Sequence, residues 1–398
     1  MADYDSIDVV REAFHDFDQA FVKLDQNTQD LLSIRSGLRN FFDPSFGSHT
    51  DVSSRYLFPV CRYLIQSLCF LKFESDDLHA CLVNAVKFAA RKDAFKLAHN
   101  TIAYTAVRAI IDPNQTGKLS AFHSVGISHA SFAKNQTFLS STHFPRSGHE
   151  ANAKYDDAVA HVAKACVLDC ETDFDRLFAT PLWHDLGQPF ERDKDLPTYR
   201  EFHRASTFAY WRRWYQGLLD GVPLDWELQR RVALISGDIW DSGPEAVARE
   251  IAQIEAKWEL EREVVALKEQ LAKVKQLDAL PSRLHNQPPE AIDDTIGLFQ
   301  TDVTLIWDKL DELEEEVQKS QPSPSRLLLI AKWFAKKATT MAKYCGSVAD
   351  DWLRAGGKAF FIAAGTAAGS AAVAAVSLPD GMKTVSELIE KLVALIGG

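Results

Sequence analysis

Several marks of familiar protein classes are missing from this chain of 398 residues. It has no glycine-rich phosphate loop, no nucleophile elbow and no His-Glu-x-x-His helix, so the short signatures of nucleotide, acyl-transfer and zinc-peptidase chemistry are absent. Cysteine is scarce and scattered. Cys61, Cys69, Cys81, Cys166, Cys170 and Cys345 show neither zinc-ribbon pairing nor dense disulfide spacing, and they read as core thiols of a reducing compartment. Basic charge is the minority sign: 44 Lys and Arg against 55 Asp and Glu leave a net charge of -11. That balance argues against general nucleic-acid binding, because a phosphate backbone is held by clustered cations. The opening Met1 to Asp5 lacks the basic flank and apolar run of a signal peptide, which places the bulk of the chain in the cytoplasm as an expectation.

What is present is folded, helical material. A hydrophobic share of 46% with 25% charged residues suffices for two or three domains with real cores. Ile7, Val10, Phe14, Phe17, Phe21, Leu24 and Leu31 recur at three and four, the spacing of one helix face. Tyr56 to Phe73 is apolar nearly throughout, but Arg62 and Lys72 interrupt it, and a buried core helix is the better reading than a span. A further helix starts at Asp76-Asp77 and runs from Leu78 until Asp112-Pro113 ends it. Periodicity lapses from Asn114 to about Glu150, then helical spacing resumes near Lys154, breaks at Thr180-Pro181, and returns from Thr198 to Asp220.

The later segments are the most regular. Ala246 to Leu277 predicts a long helix with a change of phase between Trp258 and Val264. Ile292, Ile296, Phe299, Val303, Ile306, Leu310, Leu313 and Val317 then repeat at four and three, a coiled-coil seam. Gln321 to Ser325 stops that helix, and a second seam follows on Leu327, Ala331, Phe334, Ala338, Met341, Cys345, Val348 and Trp352. Two seamed helices joined by a short Pro/Ser turn predict an antiparallel hairpin. Its first arm is acidic and its second basic, yet exposed pairs contribute only about 0–1 kcal/mol each, so the seam should hold the hairpin.

Between Lys358 and Asp380 no residue is charged. At about 1.5 Å per residue this run could cross a bilayer core of roughly 30 Å. Its strongly apolar members are few, and Gly, Ser and Thr oppose them, so the insertion balance is close to zero. Small residues at Gly365-xxx-Gly369 permit close helix approach, which predicts a self-associating span on Phe360, Phe361, Ile362, Gly365, Gly369, Val373 and Val376. Lys336, Lys337, Lys343, Arg354 and Lys358 precede it and would keep the earlier domain on the cytoplasmic side of an inner membrane. Beyond Asp380-Gly381 a shorter apolar pattern predicts a separate amphipathic segment. The alternative is an Ala-rich helix buried in a soluble homo-oligomer.

Candidate chemistry is thin. Trp183-His184-Asp185 contains the His-Asp pair used by metal-dependent phosphohydrolases, with His161 upstream, but nothing downstream completes a ligand set. His123, His129, His143 and His149 lack the spacing of a helical metal motif. Cys166 and Cys170 share a helix face and read as core. Trp211, Trp214 and Tyr215 share a face with Leu218, which reads as a large core anchor. No catalytic, cofactor or metal residue is assigned.

Pro181-Leu182-Trp183, Trp211-Arg212-Arg213-Trp214-Tyr215 with the following Gln216 to Gly221, and Arg283-Leu284-His285-Asn286-Gln287-Pro288-Pro289-Glu290 together resemble a group of uncharacterised bacterial, mainly alphaproteobacterial, helical proteins. The resemblance covers roughly Tyr155 to Glu290 and implies helical or membrane C-termini, with no activity attached. Taken together, the sequence predicts a mainly α protein: an N-terminal helical domain (1–113), a His/Ser-rich insertion (114–153), a Trp-rich helical domain (154–280), a connector and coiled-coil hairpin (281–357) and a membrane-competent segment (358–398). The expected function is a membrane-associated helical sensing, docking or effector protein without catalysis. A soluble scaffold forming a homo-oligomer is the alternative, and a hydrolase using His184 and Asp185 a third. No nucleic acid and no cofactor are expected.

Overall fold

The computed structural model describes residues 16, 19–21, 23–39, 54–91, 161, 164–188, 197–278, 293–319, 321–345 and 367–397. Among these the regular structure is helical throughout, and the protein is mainly α. The 114–153 segment lies outside the described residues, and with it His123, His129, His143 and His149. The chain forms two compact units, Met1–Ile251 and Ala252–Gly398.

In the first unit, α1 (Gln26–Arg39) is started by Asp25, whose carboxylate accepts from the Thr28 amide at 3.0 Å and the Thr28 hydroxyl at 2.6 Å. α2 (Ser54–Phe73) is the apolar run interrupted by Arg62, and it is a core helix: Tyr63, Leu64, Ile65, Leu68 and Cys69 are no more than 2% exposed. Burial on nearly every side explains why its sequence shows little polar face. α3 (Asp76–Arg91) opens on two carboxylates that complement the positive end of the helix dipole, and it packs on α2.

A helical stretch at 164–170 leads to α4 (Phe174–Leu177), a turn through Pro181, and a 3-10 turn at His184–Leu186. α5 (Pro197–Arg204) and α6 (Ala209–Asp220) replace the single helix predicted from Thr198 to Asp220. The interruption is held by Arg212, whose guanidinium donates to the Phe202 and Ala205 carbonyls and so satisfies acceptors that a helix end frees. α7 (Trp226–Ala233) is capped by Asp225, which accepts from the Glu227 and Leu228 amides. α8 (Gly237–Asp241) precedes α9 (Pro244–Asp278), a helix with proline at its first position.

The Trp-rich helix is the core anchor that its spacing predicts. Trp211 and Trp214 are fully buried and meet edge to face with centroids 5.7 Å apart. Trp214 donates to Gln229 at 2.8 Å, and the Tyr215 hydroxyl donates to the Leu38 carbonyl at 3.1 Å.

α9 contributes to both units. Val247 and Ile251 are buried at its start, whereas Ala256, Leu260, Val264, Leu267, Leu271 and Val274 belong to the core of the second unit. The buried stripe changes phase between Ile251 and Ala256, earlier than the sequence suggests, and the change coincides with the boundary between units. In the second unit α9 joins α10 (Asp293–Val317), α11 (Pro324–Ala342) and α12 (Ala367–Ile396) around one apolar core. Cross-helix pairs fix the register. Lys268 reaches Asp311 and Glu314, Arg326 reaches Glu312, Lys391 reaches Glu259, and the Ser386 hydroxyl donates to the Ala331 carbonyl. Each neighbouring pair is antiparallel, the arrangement of an up-and-down bundle.

The hairpin seam occupies this core. Phe299, Val303, Ile306, Leu310, Leu313 and Val317 are 0–3% exposed, and they meet Leu327, Ala331, Phe334, Ala338 and Met341. Ile296 lies on the first turn of α10, while Ile292, Val348 and Trp352 lie outside the described residues. Glu316 closes the turn by accepting from the Ser323 amide at 2.7 Å.

One prediction needs correction. The apolar pattern after Gly381 is no separate interfacial segment, because α12 runs without a break through Pro379 and buries Met382, Val385, Ile389 and Leu392 in the bundle core. Gly381 fits that contact: a Cβ there would stand 3.2 Å from Leu267 Cδ1. Gly369, Val373 and Val376 lie on α12, and Phe360, Phe361, Ile362 and Gly365 lie outside the described residues. No described helix is long and apolar enough to cross a membrane.

Candidate functional site

The densest buried charge among the described residues surrounds Asp169, at the end of the 164–170 helical stretch. Its carboxylate is fully buried and accepts from Arg39 at 2.6 Å, Arg35 at 3.0 Å and His184 Nε2 at 2.8 Å. Both arginines come from α1, one helical turn apart, so their guanidinium groups leave the same face. Burial alone would push the Asp169 carboxyl up, but Arg39 and Arg35 outweigh it and hold the group well below the usual carboxylate range. Arg35 is itself lowered by burial, whereas Arg39, though equally buried, is raised by Asp169.

Two guanidinium groups against one carboxylate leave an excess positive charge, and the backbone absorbs it. Arg35 donates to the carbonyls of Leu177 at 2.8 Å, Thr180 at 3.0 Å and Pro181 at 3.0 Å. Arg39 donates to the Leu182 carbonyl at 2.6 Å and to Cys166 Sγ at 3.3 Å. Two of these carbonyls also take a backbone amide, Leu177 from Thr180 at 3.4 Å and Pro181 from His184 at 3.0 Å, so the arginines reinforce a turn that α4 begins. The arginines therefore pin residues 177–182 to α1.

The same turn meets α6. Leu182 donates its amide to the Leu218 carbonyl at 3.2 Å, and Gly221, at φ 70°, comes so close to Pro181 that an added Cβ would lie 2.5 Å from the proline ring. A left-handed residue that also touches a neighbour must be glycine. The Pro-Leu-Trp motif and the glycine ending the Trp-rich helix thus form one packing unit. Arg283 to Glu290, the third motif, lies outside the described residues.

The sequence-derived metal pair takes a different form. His184 binds Asp169 and not Asp185, which is exposed. His161 Nε2 lies 2.8 Å from the Gly187 carbonyl oxygen and its ring packs beside Trp183 at 5.9 Å, so it supports the turn from the other side. No cluster of His, Cys, Asp and Glu among the described residues is arranged to hold a metal ion. His184 adopts φ 49°, unusual for a residue with a side chain, and its bond to Asp169 is the interaction that accompanies that conformation.

Cys166 lies here as the core residue its spacing predicts, whereas Cys170 is only half-buried, and both thiols are pushed up by burial, that of Cys170 to about 12. Thiols so raised are poor nucleophiles. Arg35 and Arg39 were invisible in the sequence because their partners, Asp169 among them, lie more than 120 positions away. The one local signal was a pair of arginines four apart among Leu31, Leu32, Ile34 and Leu38, the apolar residues of the second half of α1. The side chains of Asp169 and Arg39 are fully buried and offer nothing to a substrate, and the His184 side chain is 14% exposed. The arrangement is chemically a clamp. Compared with known protein families, curated proteins and solved structures, the chain matches none.

Proposed function

We propose that the protein is a helical interaction protein without catalytic activity that assembles with copies of itself through its C-terminal unit. One observation favours this reading over a membrane anchor: α11 and the second half of α12 share one core, although the uncharged stretch from Ala359 to Leu378 lies between them. A single crossing by that stretch would put α11 and Met382 to Leu392 on opposite sides of the bilayer. The folded bundle and a single span therefore exclude each other.

Withdrawal of α12 from the bundle offers no easy escape. It would expose Leu378, Met382, Val385, Ile389 and Leu392, at about 1.5–3 kcal/mol each, roughly 8–15 kcal/mol in sum, against an insertion balance near zero. The closed Asp169 clamp supports a structural reading of the first unit in the same way. A membrane-tethered effector retains one feature in its favour, the length of the uncharged run, and it requires the bundle to open. Fractionation decides: the proposal expects the full chain in the supernatant after alkaline carbonate and an oligomer by light scattering without detergent. Retention in the carbonate-washed membrane would overturn it.

A further inference from the structure

The outer surface of the α10–α11 hairpin carries three exposed leucines, Leu298 and Leu305 on α10 and Leu329 on α11, at 62%, 45% and 68% exposure. Helical spacing puts the α10 pair seven residues apart on one ridge, on the opposite side of that helix from Trp307, which faces α9 through Lys268 and Lys275. Leu329 lies on the matching flank of α11, one turn before Trp333 and away from Ala331, which faces α12. Apart from Lys309 on α10, which pairs with Glu312, the charges beside these leucines are sorted by helix. Asp308 and Glu315 are exposed on α10, Lys332 and Lys336 are exposed on α11, and none of the four forms an ion pair among the described residues.

We infer that this face binds a second copy of the same face, with the two-fold axis parallel to the helices, so that each α10 lies against the partner's α11. That axis is the one that sets acid against base on both sides. An axis across the hairpin would set α10 on α10, and its carboxylates would repel. A two-fold contact needs a self-complementary surface, and sorting opposite charges onto two antiparallel arms supplies one. The hairpin face is roughly 30 Å long and 20 Å wide, so each copy buries about 600 Å² and the pair about 1,200 Å², at the lower edge of specific interfaces. A contact of this size suits reversible association.

This rests on the self-association reading above, and the test separates the two. Sedimentation equilibrium of the full chain is measured for wild type, for Lys332→Glu/Lys336→Glu and for Asp308→Lys/Glu315→Lys. Each reversal alone should weaken self-association at least tenfold, because like charges then face each other at the exposed positions, and an equimolar mixture of the two variants should form a heterodimer within about threefold of the wild-type affinity. All four positions are exposed, and unchanged helical circular dichroism checks the fold. If a reversed variant unfolds, Lys332→Gln/Lys336→Gln replaces it, with a smaller loss of about threefold. A wild-type oligomer indifferent to these changes would overturn this face and leave self-association standing. A wild type that stays monomeric at about 100 μM would overturn both.

Discussion

The two units solve the same packing problem with different chemistry. In the first, the Asp169 clamp stitches helices and turns together through buried guanidinium groups and backbone carbonyls that no periodicity encodes. In the second, a seam of apolar side chains does almost all of the work, and the charged pairs Lys268 with Asp311 and Arg326 with Glu312 sit at its margins. The first kind of core is specific and intolerant. The second is tolerant, since hydrophobic residues of similar volume can replace one another at modest cost.

The sharpest way to break this comparison is Asp169→Ala. Removing it leaves two guanidinium groups buried without their counter-ion, and the expected cost is about 3–5 kcal/mol. Hydrogen exchange read by mass spectrometry should show lost protection in α1, the 164–170 stretch and α6, with the second unit unchanged. A loss confined to about 1 kcal/mol would mean that the carbonyl contacts of Arg35 and Arg39 alone hold the clamp. Next in size is Leu310→Ala, which opens a cavity in the seam at about 2–4 kcal/mol. Here Leu310→Met should restore most of the loss, whereas Asp169→Asn should not rescue the clamp. If both conservative variants behave alike, the two cores do not differ in tolerance.

That contrast also explains what could be read from the sequence. Helix type, the hairpin, its Pro/Ser turn and the burial of Trp211 and Trp214 follow from local spacing, because each is decided by residues three or four apart. Asp169 gave no such signal, since its partners are set by tertiary contacts. His184 drew notice as half of a metal pair with Asp185, but the nearest carboxylate in sequence is not the nearest in space. The run ending at Leu378 read as an independent segment because Pro379, Asp380 and Gly381 look like a stop. Packing against α9 and α11 carries the helix through them. Local propensity lost to tertiary context there.

A third variant sharpens the comparison through pH. Asp30 on α1 is buried, and burial, opposed by its bond from Gln26, pushes its carboxyl up to about 6. A group raised in the folded state favours folding below its unfolded pKa and loses that contribution as pH rises through about 6. Asp169, held low, acts in the opposite sense and loses its contribution as pH falls below about 4. Asp30→Asn should therefore stabilise the first unit at pH 7 by about 1–2 kcal/mol and abolish its stability change between about pH 4 and 6. Urea denaturation across that range checks both; an unchanged pH profile would place the titration elsewhere.

The smallest expected effect is the most exacting for the seam. Gly381 lies inside α12, where alanine gains up to about 1 kcal/mol of helix propensity. Against this, the new Cβ would stand 3.2 Å from Leu267 Cδ1, tighter than ordinary van der Waals contact. What it meets is the end of a flexible side chain, so Leu267 can shift by a few tenths of an ångström with limited strain. The two effects nearly cancel, and Gly381→Ala should change stability by less than about 0.5 kcal/mol in thermal or urea unfolding. By contrast Gly221→Ala, where the Cβ would strike the Pro181 ring at 2.5 Å in a left-handed backbone, has no soft partner to displace. A tolerated glycine in the seam and an intolerant one beside the clamp would mark the same division between the two units at the scale of a single methyl group.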